Sequence, residues 1–328
     1  MVPSTHHPPG LDNPAPDWVE DAQSRPSDHL CIGTSEARWG GGTGMHRTSV
    51  RGERGGRPVG ARKTGVTKEH YSRVVGSRNA FTPSVHPAPA PAFESVSSWS
   101  QPMPASASAA RTKLMAALSR RIVATRTTRV LVVIDGYTAS GKTSFGHELA
   151  AAIRDLGRPT LRASFDDFKK PWSDAREKGY DRLSGEGYYR NAPDFESART
   201  LLLEPARPEG SGLVALCAHD PLTGEDRRGV TVNAPADAVL IVDSVFGMRA
   251  EYDDLWDYRI WIDVPPELAL ARGIARDAEL EGREDAERGH RDRYHVAEEI
   301  YIAEVDPRSR ADAVIDNTDF TNPVVLRW

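Results

Sequence analysis

Gly136, Gly141, Lys142 and Thr143 follow the order G-x-x-x-x-G-K-[ST], directly after the apolar run Val130-Leu131-Val132-Val133-Ile134. Glycine at these two positions lets the backbone turn tightly. Successive amides from Tyr137, Thr138, Ala139 and Ser140 then line one concave nest that suits phosphate oxygens. Lys142 adds a mobile positive charge for β and γ phosphates, and the Thr143 hydroxyl is placed to ligate magnesium. Thr143 and Ser144 open a helix whose positive end faces the same nest. Residues Gly136 to Ser144 are therefore expected to bind a nucleoside triphosphate with Mg2+. A glycine turn joining a strand to a helix could produce the same spacing by accident. The apolar strand before it, and Phe145, Leu149, Ala152 and Ile153 at helical spacing after it, favour the binding reading.

Asp243 closes a second apolar run, Ala238-Val239-Leu240-Ile241-Val242. A carboxylate there, on the same sheet edge as Thr143, can hold magnesium directly or through water. The bland alternative is a carboxylate that caps a neighbouring turn. Asp166 and Asp167 follow a third candidate strand, in Ala163-Ser164-Phe165-Asp166-Asp167-Phe168. One of them is placed to face the γ-phosphate and accept a proton from an attacking hydroxyl, unless the pair is only a solvated turn. Arg272, Arg276, Arg283, Arg288, Arg291 and Arg293 form a basic set that could stabilise charge on a transferring phosphoryl group. Asp277, Glu279, Glu281, Glu284 and Asp285 lie close enough in sequence to pair with them instead.

These residues require a frame, and the chain divides into two unlike parts. Thirteen of the 24 prolines lie in residues 1–110, with Gly40-Gly41-Gly42 and Pro87-Ala88-Pro89-Ala90-Pro91 and no sustained apolar periodicity. Such a segment buries too little apolar surface to offset its ordering entropy, so residues 1–110 read as a disordered extension. Its 11 Lys/Arg against 9 Asp/Glu make it no polybasic arm, and the remainder carries 31 against 38, a net of −7. A tether, a spacer, and translation starting at Met103 or Met115 are the three readings of this part. No secretory signal or membrane-length apolar run is visible. With only Cys31 and Cys217, a disulfide framework is excluded in practice and a cytoplasmic setting is the simplest. Cys217, within Leu213-Val214-Ala215-Leu216, is expected to be buried.

Residues 111–328 alternate strand and helix signals, enough for one α/β domain. A helix is expected over about Thr112–Thr125, a strand over 130–135, and a helix ending near Gly157. Pro159–Ser164 reads as a strand and Asp194–Leu203 as a helix. Strands Ala238–Asp243 and Tyr258–Asp263 follow, then a helix opening at Pro265-Pro266. Apolar runs without alternation imply strands covered on both faces, hence a mostly parallel sheet with ligands at its carboxyl edge.

The order of these motifs resembles the uridine kinase family. The likeness runs from the phosphate loop through strand-Asp-Asp-Phe and Ile-Val-Asp-Ser-Val-Phe to Leu-Ala-Arg-Gly-Ile-Ala-Arg-Asp with a following Gly-Arg. It covers nearly all of residues 111–328, and Tyr301, Pro307 and Ala311 to Asn317 look like the last helix and strand of bacterial members. The resemblance implies a P-loop NTPase fold with helices on both faces of the sheet and a helical lid. It implies transfer of the ATP γ-phosphate to the 5′-hydroxyl of uridine or cytidine. In that frame Asp166 stands where the family has its catalytic carboxylate and Asp243 where it has the second motif acid. Lys142, Arg276 and Arg283 join Asp166 as catalytic candidates, with Asp277 and Gly282 completing the lid motif.

The nucleoside half departs from the family. Asn191-Ala192-Pro193-Asp194 stands where an Asp-His-Pro-Asp stretch holds the ribose, and His219-Asp220-Pro221-Leu222 offers no counterpart to the base contacts. Asp167, Tyr189, Arg190, Asn191 and His219 are the substrate candidates, with Tyr188 beside them. The rivals are a kinase of this fold for another small hydroxyl compound and a nucleotide-binding regulator. No Asn-Lys-x-Asp guanine-reading motif is present, which disfavours a switch. The net acidic character of 111–328, without a basic aromatic stripe, disfavours a nucleic-acid partner. The expected partner is a small-molecule hydroxyl acceptor, and a homo-oligomer is left open.

Overall fold

The computed structural model describes residues 97–98 and 107–328. The extension expected over 1–110 lies almost wholly outside the described residues, as do Cys31 and Met103. Ser108 accepts the Arg111 amide hydrogen and starts α1 (Ala109–Val123), three residues earlier than the apolar pattern indicates. Met115 is buried on this helix. Strand β1 (Val130–Gly136) runs into the glycine loop, and α2 (Lys142–Asp155) leaves it. After β2 (Thr160–Ser164) come α3 (Trp172–Lys178) and α4 (Gly185–Asn191).

The helix expected over Asp194–Leu203 is present but irregular. Asp194 caps it by accepting the Ser197 amide hydrogen, and one turn of α5 (Phe195–Ser197) widens into a π-helical stretch, Ala198–Leu203, before α6 (Glu204–Ala206). A short antiparallel hairpin, β3 (Leu213–Ala215) and β4 (Thr231–Asn233), forms a separate two-stranded sheet. Then follow β5 (Val239–Asp243), β6 (Tyr258–Asp263), α7 (Pro266–Glu281) and α8 (Arg283–Arg288). A π-helical stretch, Gly289–His295, leads into α9 (Val296–Val305) and α10 (Pro307–Arg310), and β7 (Ala313–Asp316) and β8 (Val324–Arg327) end the chain.

The main sheet has the order β2-β5-β1-β6-β7-β8, parallel except for β8. Alternate residues of its central strands enter two different cores. Leu131, Val133, Leu240, Val242, Trp261 and Val314 pack on one face with Tyr189 of α4 and Tyr301 of α9. Val132, Ile134, Ile241, Ile260 and Ile315 pack on the other with Leu118 of α1, Leu149 of α2 and Ala269 of α7. The continuous apolar runs are thus the signature of strands sandwiched between helical layers, a mostly parallel α/β sheet. Strand β1 lies between β5 and β6, so the chain moves away from it in both directions. The crevice this opens at the carboxyl ends is where such sheets take ligands, and the glycine loop lies in it. Cys217 is buried. Among the described residues no helix is long and apolar enough to cross a membrane.

Candidate active site

The loop after β1 holds its shape through left-handed backbone. Gly136 and Gly141 have φ of +152° and +95°, and Ala139 has φ of +61°. Gly141 also lies under Asn317, whose Nδ2 would be 2.8 Å from a Cβ built there. Strain and collision together make glycine the residue that fits. Asn317 is fully buried just beyond β7 and donates to Ser140 O at 2.8 Å. Arg111 of α1 holds Asn317 Oδ1 at 2.9 Å and pairs with Glu148 of α2 at 2.6 Å. One buried staple from the far end of the chain thereby fixes the loop. Asn317 entered the sequence reading only through the family likeness of the tail, and Arg111 did not enter it.

Lys142 Nζ donates to Gly136 O at 2.9 Å and Tyr137 O at 2.7 Å, folded back over the loop. Burial lowers its pKa, against the fields of Glu298, Asp135, Asp243 and Asp166. At the foot of the loop Asp135 is fully buried and accepts from the amides of Gly136, Gly247 and Met248 and from the Tyr301 hydroxyl. Burial pushes its carboxyl up to about 6, despite the Tyr301 hydrogen bond and the Lys142 charge. The Asp135 cluster ties the loop to the segment after β5.

Thr143 Oγ1 donates to Asp243 Oδ2 at 2.8 Å, across the gap between β1 and β5. Ser164 Oγ donates to the same oxygen at 3.2 Å, and Arg162 Nη2 reaches Oδ1 at 2.6 Å. This hydroxyl and carboxylate are hard oxygen donors one hydrogen bond apart, which fits the donor chemistry of magnesium. Among the described residues there is no cluster of three or more His, Cys, Asp or Glu with metal-binding geometry. An ion here would take its other ligands from phosphate and water, as magnesium at phosphate sites does. Sequence reasoning missed Arg162. Its signal was a charged side chain in the middle of a strand covered on both faces, which must find an acid.

Asp166 and Asp167 sit on one 3-10 turn, Phe165–Phe168, that Ser164 caps by accepting the Asp166 amide hydrogen. Their environments differ. The Asp166 carboxylate is partly exposed and pairs with Lys169 Nζ at 2.6 Å. Burial raises its pKa, but Lys169, with Lys142 and Arg276 farther off, outweighs that and holds it below the ordinary value. Lys169 also donates to Tyr188 Oη. Asp167 is buried behind the turn, and burial, with the charges of Asp166, Asp243 and Asp220, pushes its carboxyl up to about 8 despite a hydrogen bond from Ser97. Its main-chain oxygen takes the amides of Ala218 and His219. Asp166 and Lys169 stand at an apolar cleft walled by Phe165, Phe168, Phe195, Phe246 and Tyr252.

The other expected substrate residues do not converge on that cleft. Tyr189 Oη and the Arg190 guanidinium both bind Glu304 of α9. Asn191 Nδ2 donates to Asp181 O at 2.7 Å, and partly buried His219 pairs with Asp226 through the backbone, in an antiparallel bridge. On α7, Arg276 chelates Asp277 at 2.6 and 2.9 Å, and His290 meets the same acid at 2.7 Å. The Arg276 field nonetheless reaches Asp166. Arg272 is committed to Asn317 O and Thr318 O, and Arg283 is exposed at the start of α8.

No protein-family profile matches the chain, and no curated protein matches it. Solved structures do resemble it. A protein named as a possible uridine kinase from Bacillus stearothermophilus is 24% identical with a TM-score of 0.47, over 62% of this chain and 96% of that one. A candidate fructose transport system kinase from Silicibacter sp. TM1040 is 21% identical with a TM-score of 0.49, over 58% and 94%. D-glycerate 3-kinase from Cryptococcus neoformans var. grubii is 12% identical with a TM-score of 0.38, over 60% and 88%. The residues described above, rather than these likenesses, carry the functional conclusion.

Proposed function

We propose that the chain is an ATP-dependent phosphotransferase that moves the γ-phosphate of ATP to the hydroxyl of a small molecule. The observation that carries this is the convergence of three groups at one sheet edge. Lys142 and the loop amides end β1, the Thr143–Asp243 pair bridges β1 and β5, and Asp166 follows β2 at the mouth of an aromatic cleft. A phosphate site, a cation site and an acceptor site in that order are what in-line transfer requires.

Each residue then has a defined task. The loop amides and Lys142 hold the phosphates. Thr143 and Asp243 would hold Mg2+, which when bound neutralises charge on the β and γ oxygens. Asp166, ionised at neutral pH and steadied by Lys169, orients the acceptor hydroxyl and takes its proton as the new P–O bond forms and the bond to the ADP oxygen breaks. A carboxylate of lowered basicity serves here because a loose transition state asks for little deprotonation before attack. Arg276, released from Asp277 as the lid closes, adds positive charge opposite Asp166 and excludes water.

The 5′-hydroxyl of uridine or cytidine is the first acceptor to test, since aromatic walls suit a planar base. A different hydroxyl compound is the second reading. The engagement of Tyr189 and Arg190 with Glu304, and of Asn191 with Asp181, favours it, because these groups turn from the cleft. The test is ADP release by the full chain with Mg-ATP against a panel of uridine, cytidine, other nucleosides, pantothenate and simple sugars. Stimulation by any member supports phosphotransfer and names the acceptor class. ATP binding without stimulation by any acceptor favours a nucleotide-binding regulator.

A further inference from the structure

Glu298, Tyr301 and Glu304 recur every three residues on α9 and so share one face of the helix. That face braces the site at three levels. Glu304 holds Tyr189 and Arg190 of α4, and Tyr301 donates to Asp135 at 2.6 Å while taking the Met248 amide at 3.0 Å. Glu298 reaches the phosphate loop itself. Its side chain is buried, and Oε1 accepts the Thr138 amide hydrogen at 2.5 Å. Of the carboxylates around Lys142, Glu298 acts on it most strongly. A loop amide and the lysine charge are two of the groups a triphosphate needs, and the side chain that meets them carries the sign of charge of the ligand itself.

Resting on the nucleotide reading above, we propose that Glu298 competes with phosphate for this loop and thereby sets nucleotide affinity. A triphosphate binds by taking the Thr138 amide and the Lys142 charge away from the Glu298 carboxylate. Two like charges a few ångströms apart in a partly buried site repel by an amount that water does not screen away. The carboxylate must therefore move aside with its stretch of α9 or accept a proton, and either cost is subtracted from the binding energy. The same face of α9 holds Tyr189 and Arg190 of α4, so displacement of Glu298 is felt by that helix as well.

The test uses the full chain and binding rather than turnover. Glu298→Gln keeps the size of the side chain and an oxygen for Thr138 while removing the charge. Calorimetric titration with Mg-ATP and with inorganic triphosphate should show at least about tenfold tighter binding of both to E298Q than to wild type. Glu298→Ala, the second variant should E298Q fail to fold, should also bind more tightly. Equal or weaker binding by a folded variant overturns the inference and makes Glu298 an anchor of the loop. If neither wild type nor variant binds either ligand, the nucleotide reading itself fails and this inference with it.

Discussion

Arg162 Nη2 lies 2.6 Å from Asp243 Oδ1, with both side chains buried between the sheet and α2. The pair presents the other oxygen of Asp243 to Thr143, so one carboxylate serves a structural cation and the candidate magnesium site at once. Room for the guanidinium comes from Gly146, where a Cβ would lie 2.6 Å from Arg162 Cζ.

Replacing Arg162 by Met should therefore be costly, because it leaves the Asp243 charge buried without its partner. A loss of about 3–5 kcal/mol is expected from urea denaturation. Gly146→Ala should destabilise in the same direction through collision with the guanidinium. An R162M protein as stable as wild type would show that the ion pair does not neutralise Asp243.

Asn317→Ala removes the staple between β7 and the phosphate loop. The variant should lose about 1–3 kcal/mol of stability, the cost of leaving Ser140 O and the Arg111 guanidinium short of a buried partner. Its affinity for ATP should fall as well, since the loop is no longer held in its binding shape. Chemical denaturation and calorimetry measure the two effects, and unchanged affinity would mean that Gly141 and α2 suffice to shape the loop.

Asp166→Asn should lower kcat by orders of magnitude while leaving ATP affinity close to wild type. The partly exposed carboxylate touches the aromatic cleft and Lys169, and no loop amide. Steady-state kinetics beside ATP titration separate these quantities. A wild-type kcat in the D166N protein would remove Asp166 from its role.

Much of this arrangement was legible before the structure. The runs 130–134 and 238–242 gave strands buried on both faces, because uninterrupted apolar residues leave no face for water. What escaped were contacts between residues far apart in sequence. Arg162, Glu298 and Asn317 each bind the site from 81, 160 or 177 residues away, and local periodicity carries no trace of such pairings. Strands β3 and β4 were also missed, being three residues each and set by mutual pairing. The exposed edge strand β8 escaped too, because its apolar run is only Val324-Val325-Leu326.

Asp167 gives a pH signature opposite to that of an ordinary surface acid. Burial raises its carboxyl from 3.8 to about 8, so the folded state holds a proton that the unfolded chain has released. Its contribution to stability is fully present below about 4 and is lost as pH rises through about 8. Asp167→Asn, which cannot ionise, should gain on wild type by a few kcal/mol between those limits. Denaturation of both proteins at pH 5 and pH 8 checks this, and parallel curves would show that Asp167 is ionised in the fold.

The most direct test follows the phosphoryl group itself. The full chain is incubated with Mg2+, ATP carrying an isotopic label on its γ-phosphate, and the acceptor panel, and the products are read by mass spectrometry. The label is expected in an organic monophosphate formed from one of the hydroxyl compounds, and only when Lys142 and Asp166 are intact. Label that stays in ATP, or appears only as inorganic phosphate with every acceptor present, would contradict transfer to a small-molecule hydroxyl.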